Sequence, residues 1–499
     1  MKRMIGVMVL ACGLACSAGA QDTSPPKQPD TKPADQPAAR QPRAPRAPVA
    51  KPGDVKASKK PAPFWGPWVT REDEREIMVQ ARLNVRSDSP KQKDTFRDPV
   101  SGKSVQMSKV VPFTFDAVSV VWPCILNTAN ADLLGETKPW PEGDIGEVGY
   151  KGRLTVADQL VDDEPNIVEN NYQGGTRIGS WQAPKEAIER VRAVTPGGLI
   201  REVTLTLEYP MRCYKVKFDE ESAMKVDWPK EWPADAASTL TPQMWIEKGV
   251  TEAGTTADYD REKIQDILKK YLKEEGLEDA KSVPPARLAK ILTSKVWRDV
   301  APTAGSGIKD TSRKAGFEGF ELRAPFVTFS DRKGSPYDMV VALVALMREA
   351  GLPTRLVIGV DTGAGSGPFS ASQGKSTLRA WAEFALYDEA SNAMCWVPID
   401  ILKLRATSNK PQKMTAKWRY FGDNDEFNQV APVAFHFVPP ADGVVTYGTP
   451  ELWGWMVFPK APEAAEASVV FSTGGVPKKA SRDLKEVQPL KPAPADRGK

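Results

Sequence analysis

Groups able to carry nucleophile–base chemistry are scarce in this chain. His436 is the one histidine in 499 residues. That excludes multi-histidine metal sites and acid–base machinery built on paired imidazoles. Of the five cysteines, Cys12 and Cys16 fall in an N-terminal leader, which leaves Cys124, Cys213 and Cys395. No C-x-x-C occurs, so neither a zinc ribbon nor a thioredoxin-type motif is present. Three is odd, so at least one thiol is free or pairs with another chain, and Cys124 and Cys213 are the candidates for an internal bridge. The carboxylates Asp338, Glu383 and Asp400 could serve glycosidase-like acid–base work. Charge pairing and helix capping account for them equally well. Asp423-Asn424-Asp425-Glu426 lacks the ligand spacing of a calcium loop and reads as a solvated turn. No metal and no cofactor are expected. Trp65, Trp68, Trp228, Trp232, Trp453 and Trp455 lie near the edges of expected elements, where indole rings could stack on sugars.

The elements that must position these groups differ along the chain. Val79, Ala81, Leu83 and Val85 alternate with polar residues, as do Val203, Leu205 and Leu207; both runs are half-buried strands. Phe113–Val121 and Arg212–Phe218 look similar, so residues 64–230 are expected to form a β-rich, sandwich-like domain. Beyond a Trp/Pro-rich link the period becomes helical. Ile264, Ile267, Leu268, Tyr271 and Leu272 mark one helix, and Leu288, Ile291, Leu292 and Val296 a second. A third, over 336–350, is apolar on nearly every side and therefore buried. Leu356–Val360, Leu378–Tyr387 and Cys395–Ile399 read as strands, with a Gly/Ser-rich loop over 363–374 between the first two.

Lys plus Arg is 68 and Asp plus Glu is 64, a net charge of +4, which excludes nucleic-acid binding by bulk charge. Residues 1–20 have the charged start, apolar stretch and Ala18-Gly19-Ala20 end of a signal peptide, so export to a periplasm or the medium is expected. Lipoprotein processing at Cys12 or Cys16 is the runner-up. Residues 21–63 hold 11 Pro and nine Lys/Arg against four Asp, a spacer composition that also suits an electrostatic tether to an anionic envelope polymer. Residues 441–474 are assigned to C-terminal strands and 475–499 to a second disordered tail. Past the leader no run of 18 apolar residues occurs, so no transmembrane segment is expected.

The wording of the helix and the strands after it carries more. Gly334-Ser335-Pro336-Tyr337-Asp338, then Arg348-Glu349-Ala350-Gly351-Leu352-Pro353-Thr354-Arg355, then Arg379-Ala380-Trp381-Ala382-Glu383, then Trp396-Val397-Pro398-Ile399-Asp400, occur in that order. Together they resemble the core of the transglutaminase-like family, whose blocks read G-x-C-x-D, R-x-x-G-I-P-x-R, H-x-W-x-E and W-x-x-x-D. The resemblance covers about residues 255–440. It implies an α+β, papain-like core with a Cys-His-Asp triad. Matched residue by residue, the cysteine position is Pro336 and the histidine position Arg379, while the aspartate is kept as Asp400. The triad is degenerate: Pro336 has no nucleophile, and a guanidinium is too strong an acid-holder to act as a base. Ser335, Pro336 and Asp338 instead make good helix-start chemistry. A one-residue slip making Ser335 the nucleophile would need a base, and the one histidine, His436, lies far down the chain. A relocated Cys395–His436 pair is the other arrangement, but Cys395, beside Trp396 on an expected strand, reads as a small core residue. Trp381 and Trp396 are expected to pack.

An exported, non-enzymatic protein with a binding or structural role at the cell envelope is therefore expected, its partner an envelope polymer or protein. Ser335, Asp338, Trp381 and Glu383 are the candidate cleft residues. The alternative is an enzyme: a cysteine-type peptidase or acyltransferase with a rearranged site, or a carboxylate-based hydrolase. Asp400 without its histidine would be a partly buried charge in need of a partner. An Arg379–Asp400 ion pair with two parallel hydrogen bonds is expected, with Glu383 as the competing acceptor.

Overall fold

A computed structural model describes residues 67–87, 93–97, 103–108, 111–134, 149–164, 166–167, 176–243, 246–250, 256–258, 261–303, 308–310, 317–320, 322–362, 378–408, 410, 412–435, 456–459 and 465–476. The expected leader, the spacer over 21–63, the loop over 363–374, His436, Trp65, Trp453, Trp455 and nearly all of the 475–499 tail lie outside the described residues. The principal strands are β1 (Val69–Arg86), β2 (Val118–Ile125), β3 (Lys151–Val156), β4 (Thr176–Ala183), β5 (Glu202–Phe218), β6 (Thr354–Asp361), β7 (Leu378–Asp388), β8 (Ala393–Ile399), β9 (Val430–Phe435) and β10 (Glu466–Gly474). The principal helices are α1 (Lys185–Val194), α2 (Arg261–Glu274), α3 (Pro285–Asp299), α4 (Pro325–Asp331), α5 (Pro336–Glu349) and α6 (Ile401–Ala406). The fold is α+β.

β1 and β5 run antiparallel at the centre of an eight-stranded sheet, with β10 on the far side of β1 and β3 on the far side of β5. The alternation seen in sequence sets this pairing. Leu83 lies opposite Leu205 and Val469, and Val79 opposite Tyr209, all facing inward and enclosed. A second sheet pairs β2 with β4. The two sheets pack face to face: the Trp181 ring of β4 lies where a side chain at Gly152 of β3 would be, its Nε1 2.3 Å from a Cβ there. Trp122 of β2 meets Phe471 of β10 edge-on at 6.5 Å.

The structure corrects three local readings. The runs at 203–207 and 212–218 are one strand of 17 residues, because Pro210 sits within the ladder opposite Met78 instead of ending it. The strand expected from Phe113 starts only at Val118; Phe113, next to Pro112, which cannot donate, makes an isolated bridge to Ile200. Cys124 and Cys213 are both buried free thiols on different sheets, not a bridge. Cys124 packs over Gly179, while Cys213 sits between Arg75 and Ala131 across the ladder.

The second layer is a four-stranded antiparallel sheet in the order β8-β7-β6-β9, with α5 against it. Every residue of α5 from Tyr337 to Arg348 is buried, with α2, α3 and α4 around it. Gly351 takes φ +78° after the helix, a left-handed turn that a side chain would strain. This layer and the two-sheet part share one hydrophobic cluster. Backbone of Val216 and Asn424 exchange hydrogen bonds at 3.1 and 2.8 Å, and the Phe218 and Phe421 rings meet at 6.0 Å.

Candidate functional site

The first candidate position is the start of α5. Ser335 is its N-cap: the hydroxyl oxygen accepts from the Asp338 amide at 3.1 Å. Asp338 returns the contact, its Oδ2 accepting from the Ser335 amide at 2.8 Å, and its Oδ1 takes the Arg323 amide at 2.8 Å. This reciprocal capping box, with Pro336 at the first helical position, satisfies donors that otherwise remain open at a helix start. Ser335, Pro336 and Asp338 thus stabilise the helix end. Asp338 has both oxygens committed to amides.

The second position is on β7. In the antiparallel pairing of β7 with β8, Ala382 lies opposite Ile399, which carries Arg379 toward the residue just past the end of β8. That residue is Asp400. Arg379 Nε donates to Asp400 Oδ2 at 2.7 Å. Nη2 lies 2.6 Å from the same oxygen but out of line for a hydrogen bond, so that contact is electrostatic. Both nitrogens converge on one oxygen, unlike the parallel fork expected from sequence. The reason is local: Asp400 is also the N-cap of α6, and its Oδ1 accepts from the Lys403 amide at 3.0 Å. Asp400 is 1% exposed and Arg379 7%.

Two further carboxylates join them. Arg379 Nη1 donates to Glu426 Oε2 at 3.1 Å and lies 3.6 Å from Asp361 Oδ2. Glu426 also pairs with Lys403 at 2.7 Å and accepts the Tyr420 hydroxyl at 2.8 Å. Burial works against ionising Glu426, but the Lys403 ammonium, the Tyr420 hydroxyl and the Arg379 guanidinium outweigh it and hold its pKa at about 2. Burial likewise opposes the Arg379 charge, but Asp400, Glu426 and Asp361 overcome it and raise its pKa. Arg379 therefore stays protonated and cannot serve as a base. The 423–426 stretch is not the solvated turn read from sequence. Asn424 is enclosed, and Asp423 accepts the Phe218 amide at 2.6 Å. The physical reason is the join between the two layers, which draws this turn under β5.

Glu383 is not near Arg379's bonding shell at all. It stands directly opposite Arg355 of β6, whose Nε and Nη2 donate to Oε2 at 3.0 and 2.7 Å. Its Oε1 accepts from Trp381 Nε1 at 2.9 Å and the Ala129 amide at 3.0 Å. The Arg355 guanidinium stacks 4.1 Å over Trp396 and 4.5 Å over Phe435. Arg355 and Glu383 are both 0% exposed, a buried pair with its remaining hydrogen-bonding capacity filled. Sequence reasoning missed this pair and Glu426. Arg355 sits in the quoted R-x-x-G-L-P-x-R block, which was the available signal.

Of the four candidate cleft residues, Ser335 alone is half-exposed. Asp338, Trp381 and Glu383 are enclosed, at 2%, 0% and 0%, and as they stand present no surface to a ligand. Trp381 packs 5.0 Å from Phe427 over Gly359, where an added Cβ would come within 2.9 Å of the indole. Asp338, Glu383 and Asp400, the carboxylates a hydrolase would use, are each held by structural partners. Cys395 is buried on β8. Among the described residues no cluster of His, Cys, Asp and Glu is arranged to hold a metal.

The fold and these motif positions define a domain class, and comparison with known proteins agrees. Residues 308–401 match the sequence model of the family described as the Transglutaminase-like superfamily. That stretch, a transglutaminase-like domain, holds Ser335, Pro336, Asp338, Arg379, Trp381, Glu383 and Asp400. No curated protein matches the chain. Among solved structures it is similar to a protein from Cytophaga hutchinsonii provisionally named a cysteine protease, at 11% identity and a TM-score of 0.41, over 85% of this chain and 98% of that one. It is also similar to a protein from Parabacteroides distasonis provisionally named a protease, at 8% identity and a TM-score of 0.19, over 70% of this chain. The chain spans 64% of that protein's length.

Proposed function

We propose that this is an exported transglutaminase-like protein without thiol catalysis, whose domain serves a binding or structural role at the cell envelope. The observation that carries this reading is the Arg379–Asp400 ion pair at the motif positions of the histidine and aspartate. The capping box around Pro336 supports it, since a proline at the thiol position offers no nucleophile. Export rests on the leader at 1–20, with cleavage before Gln21 and a periplasmic or secreted product. Among the described residues no helix is long and apolar enough to cross a membrane.

The purified mature chain should turn over neither peptide substrates nor glutaminyl peptides supplied with an amine acceptor. Thiol-dependent turnover that vanishes on Cys395→Ala would replace this reading with a rearranged cysteine enzyme. Cell fractionation followed by N-terminal sequencing tests export: a product beginning at Gln21 outside the cytoplasm is expected, and an uncleaved cytoplasmic chain would contradict it.

A further inference from the structure

A cavity of about 430 Å³ lies away from the Arg379 site, where the end of β5 meets the β7–β8 turn. Trp68 and Trp228 line it, together with Asp227, Asp388 and Glu389 and a single cation, Lys225. Its size falls within the roughly 300–1,000 Å³ of small-ligand sites.

The charge balance is one-sided. Lys225 is engaged by Glu221 at 3.0 Å on the neighbouring turn. Asp227, Asp388 and Glu389 have no ion-pair partner among the described residues. Asp388 stays ionised, its pKa lowered by the Ser391 hydroxyl and the Ala390 and Ser391 amides. Glu389 Oε1 accepts the Lys230 amide at 2.6 Å, which fixes the carboxylate at the rim. Trp228 is pinned as well: its Nε1 donates to the Val283 carbonyl at 2.8 Å. The Lys281 ammonium already lies 6.0 Å from the centre of that ring, so the ring stands in contact range of a cation. Indole faces attract cations and give anions nothing comparable. A guanidinium both stacks on indole and forks onto carboxylates.

We propose that this cavity binds a cationic side chain of a basic peptide, an arginine above all, held against the half-buried Trp228 indole and among the three carboxylates. Calorimetric titration of the full chain with the acetylated, amidated tripeptide Arg-Ala-Arg tests it. Saturable binding is expected, weakening as salt is raised. The same tripeptide with citrulline for arginine, equal in shape but uncharged, should give no saturable heat. Asp227→Lys reverses an exposed charge on the rim and should weaken binding by about tenfold or more. Should that variant fail to fold, Glu389→Gln, which keeps the acceptor for the Lys230 amide, carries the same test. Absence of binding, binding that ignores both variants, or equal binding of the citrulline peptide would overturn the proposal. So would chitotriose binding in its place, which would make the cavity a sugar site.

Discussion

Replacing Arg379 by methionine removes the cation that faces Asp400. Asp400 would then be an ionised carboxylate at 1% exposure, keeping the Lys403 amide on Oδ1 and losing its partner on Oδ2. Removing one member of a buried pair costs about 3–5 kcal/mol, because the remaining charge is uncompensated. The reverse change is milder. Asp400→Asn keeps an acceptor for the cap of α6, and Arg379 retains Glu426 at 3.1 Å, so a loss of about 1–2 kcal/mol is expected. With both replaced, no lone charge remains at Asp400, and the double variant should lose about 1–2 kcal/mol, less than Arg379→Met alone. The cycle therefore yields a coupling of about 3–5 kcal/mol, well above the few tenths expected of independent sites. Chemical denaturation of the four proteins, followed by far-ultraviolet circular dichroism, reads these values from midpoints at unchanged slope. Additive losses would refute the reasoning: the pair would be a geometric neighbour without energetic consequence.

Other outcomes follow from the same geometry. Ser335→Ala should cost about 0.5–2 kcal/mol, measured by thermal or chemical denaturation, as loss of an N-cap does. Pro336→Cys alone should gain no hydrolase or transamidase turnover, because Arg379 cannot accept the proton. Glu426 is held at about 2 in the fold against an ordinary 4.5, so its contribution is fully present above pH 4.5 and is lost as pH falls toward 2. The stability gap between wild type and Glu426→Gln should accordingly shrink between pH 7 and pH 3, and a gap that widens on acidification would contradict the assignment. Cys124, Cys213 and Cys395 are buried and form no disulfide, and burial raises the Cys124 and Cys213 thiols. They should stay unreactive toward Ellman's reagent in the native protein and react in denaturant.

What could be read from sequence follows from the range of each interaction. The period-two alternation of β1 and β5 and the all-round apolarity of α5 are local patterns, and each appears in the fold where the pattern stands. The cap at Ser335 needs residues three apart, and it too was legible. Arg379 with Asp400 became legible because the motif order places their strands side by side. Partner choice beyond that was not. Glu383 pairs with Arg355 because of the β6–β7 register, and its other oxygen takes the amide of Ala129, 254 residues earlier in the chain. Lys290 breaks the apolar stripe of α3 and is still 1% exposed, because the Ala416 and Met414 carbonyls at 2.7 and 3.0 Å and the Glu220 carboxylate receive it. No local pattern encodes such contacts.

Intact-mass spectrometry after incubation with acyl donors tests the proposed absence of thiol catalysis most directly. A transglutaminase-like catalyst forms a covalent acyl-enzyme on its cysteine, and that adduct is visible before any turnover accumulates. The purified native chain, mixed with an excess of a reactive ester and separately with a glutaminyl peptide, should retain its unmodified mass. A stoichiometric acyl adduct that maps to Cys395 or to Ser335 would contradict the proposal, placing a working nucleophile in the domain.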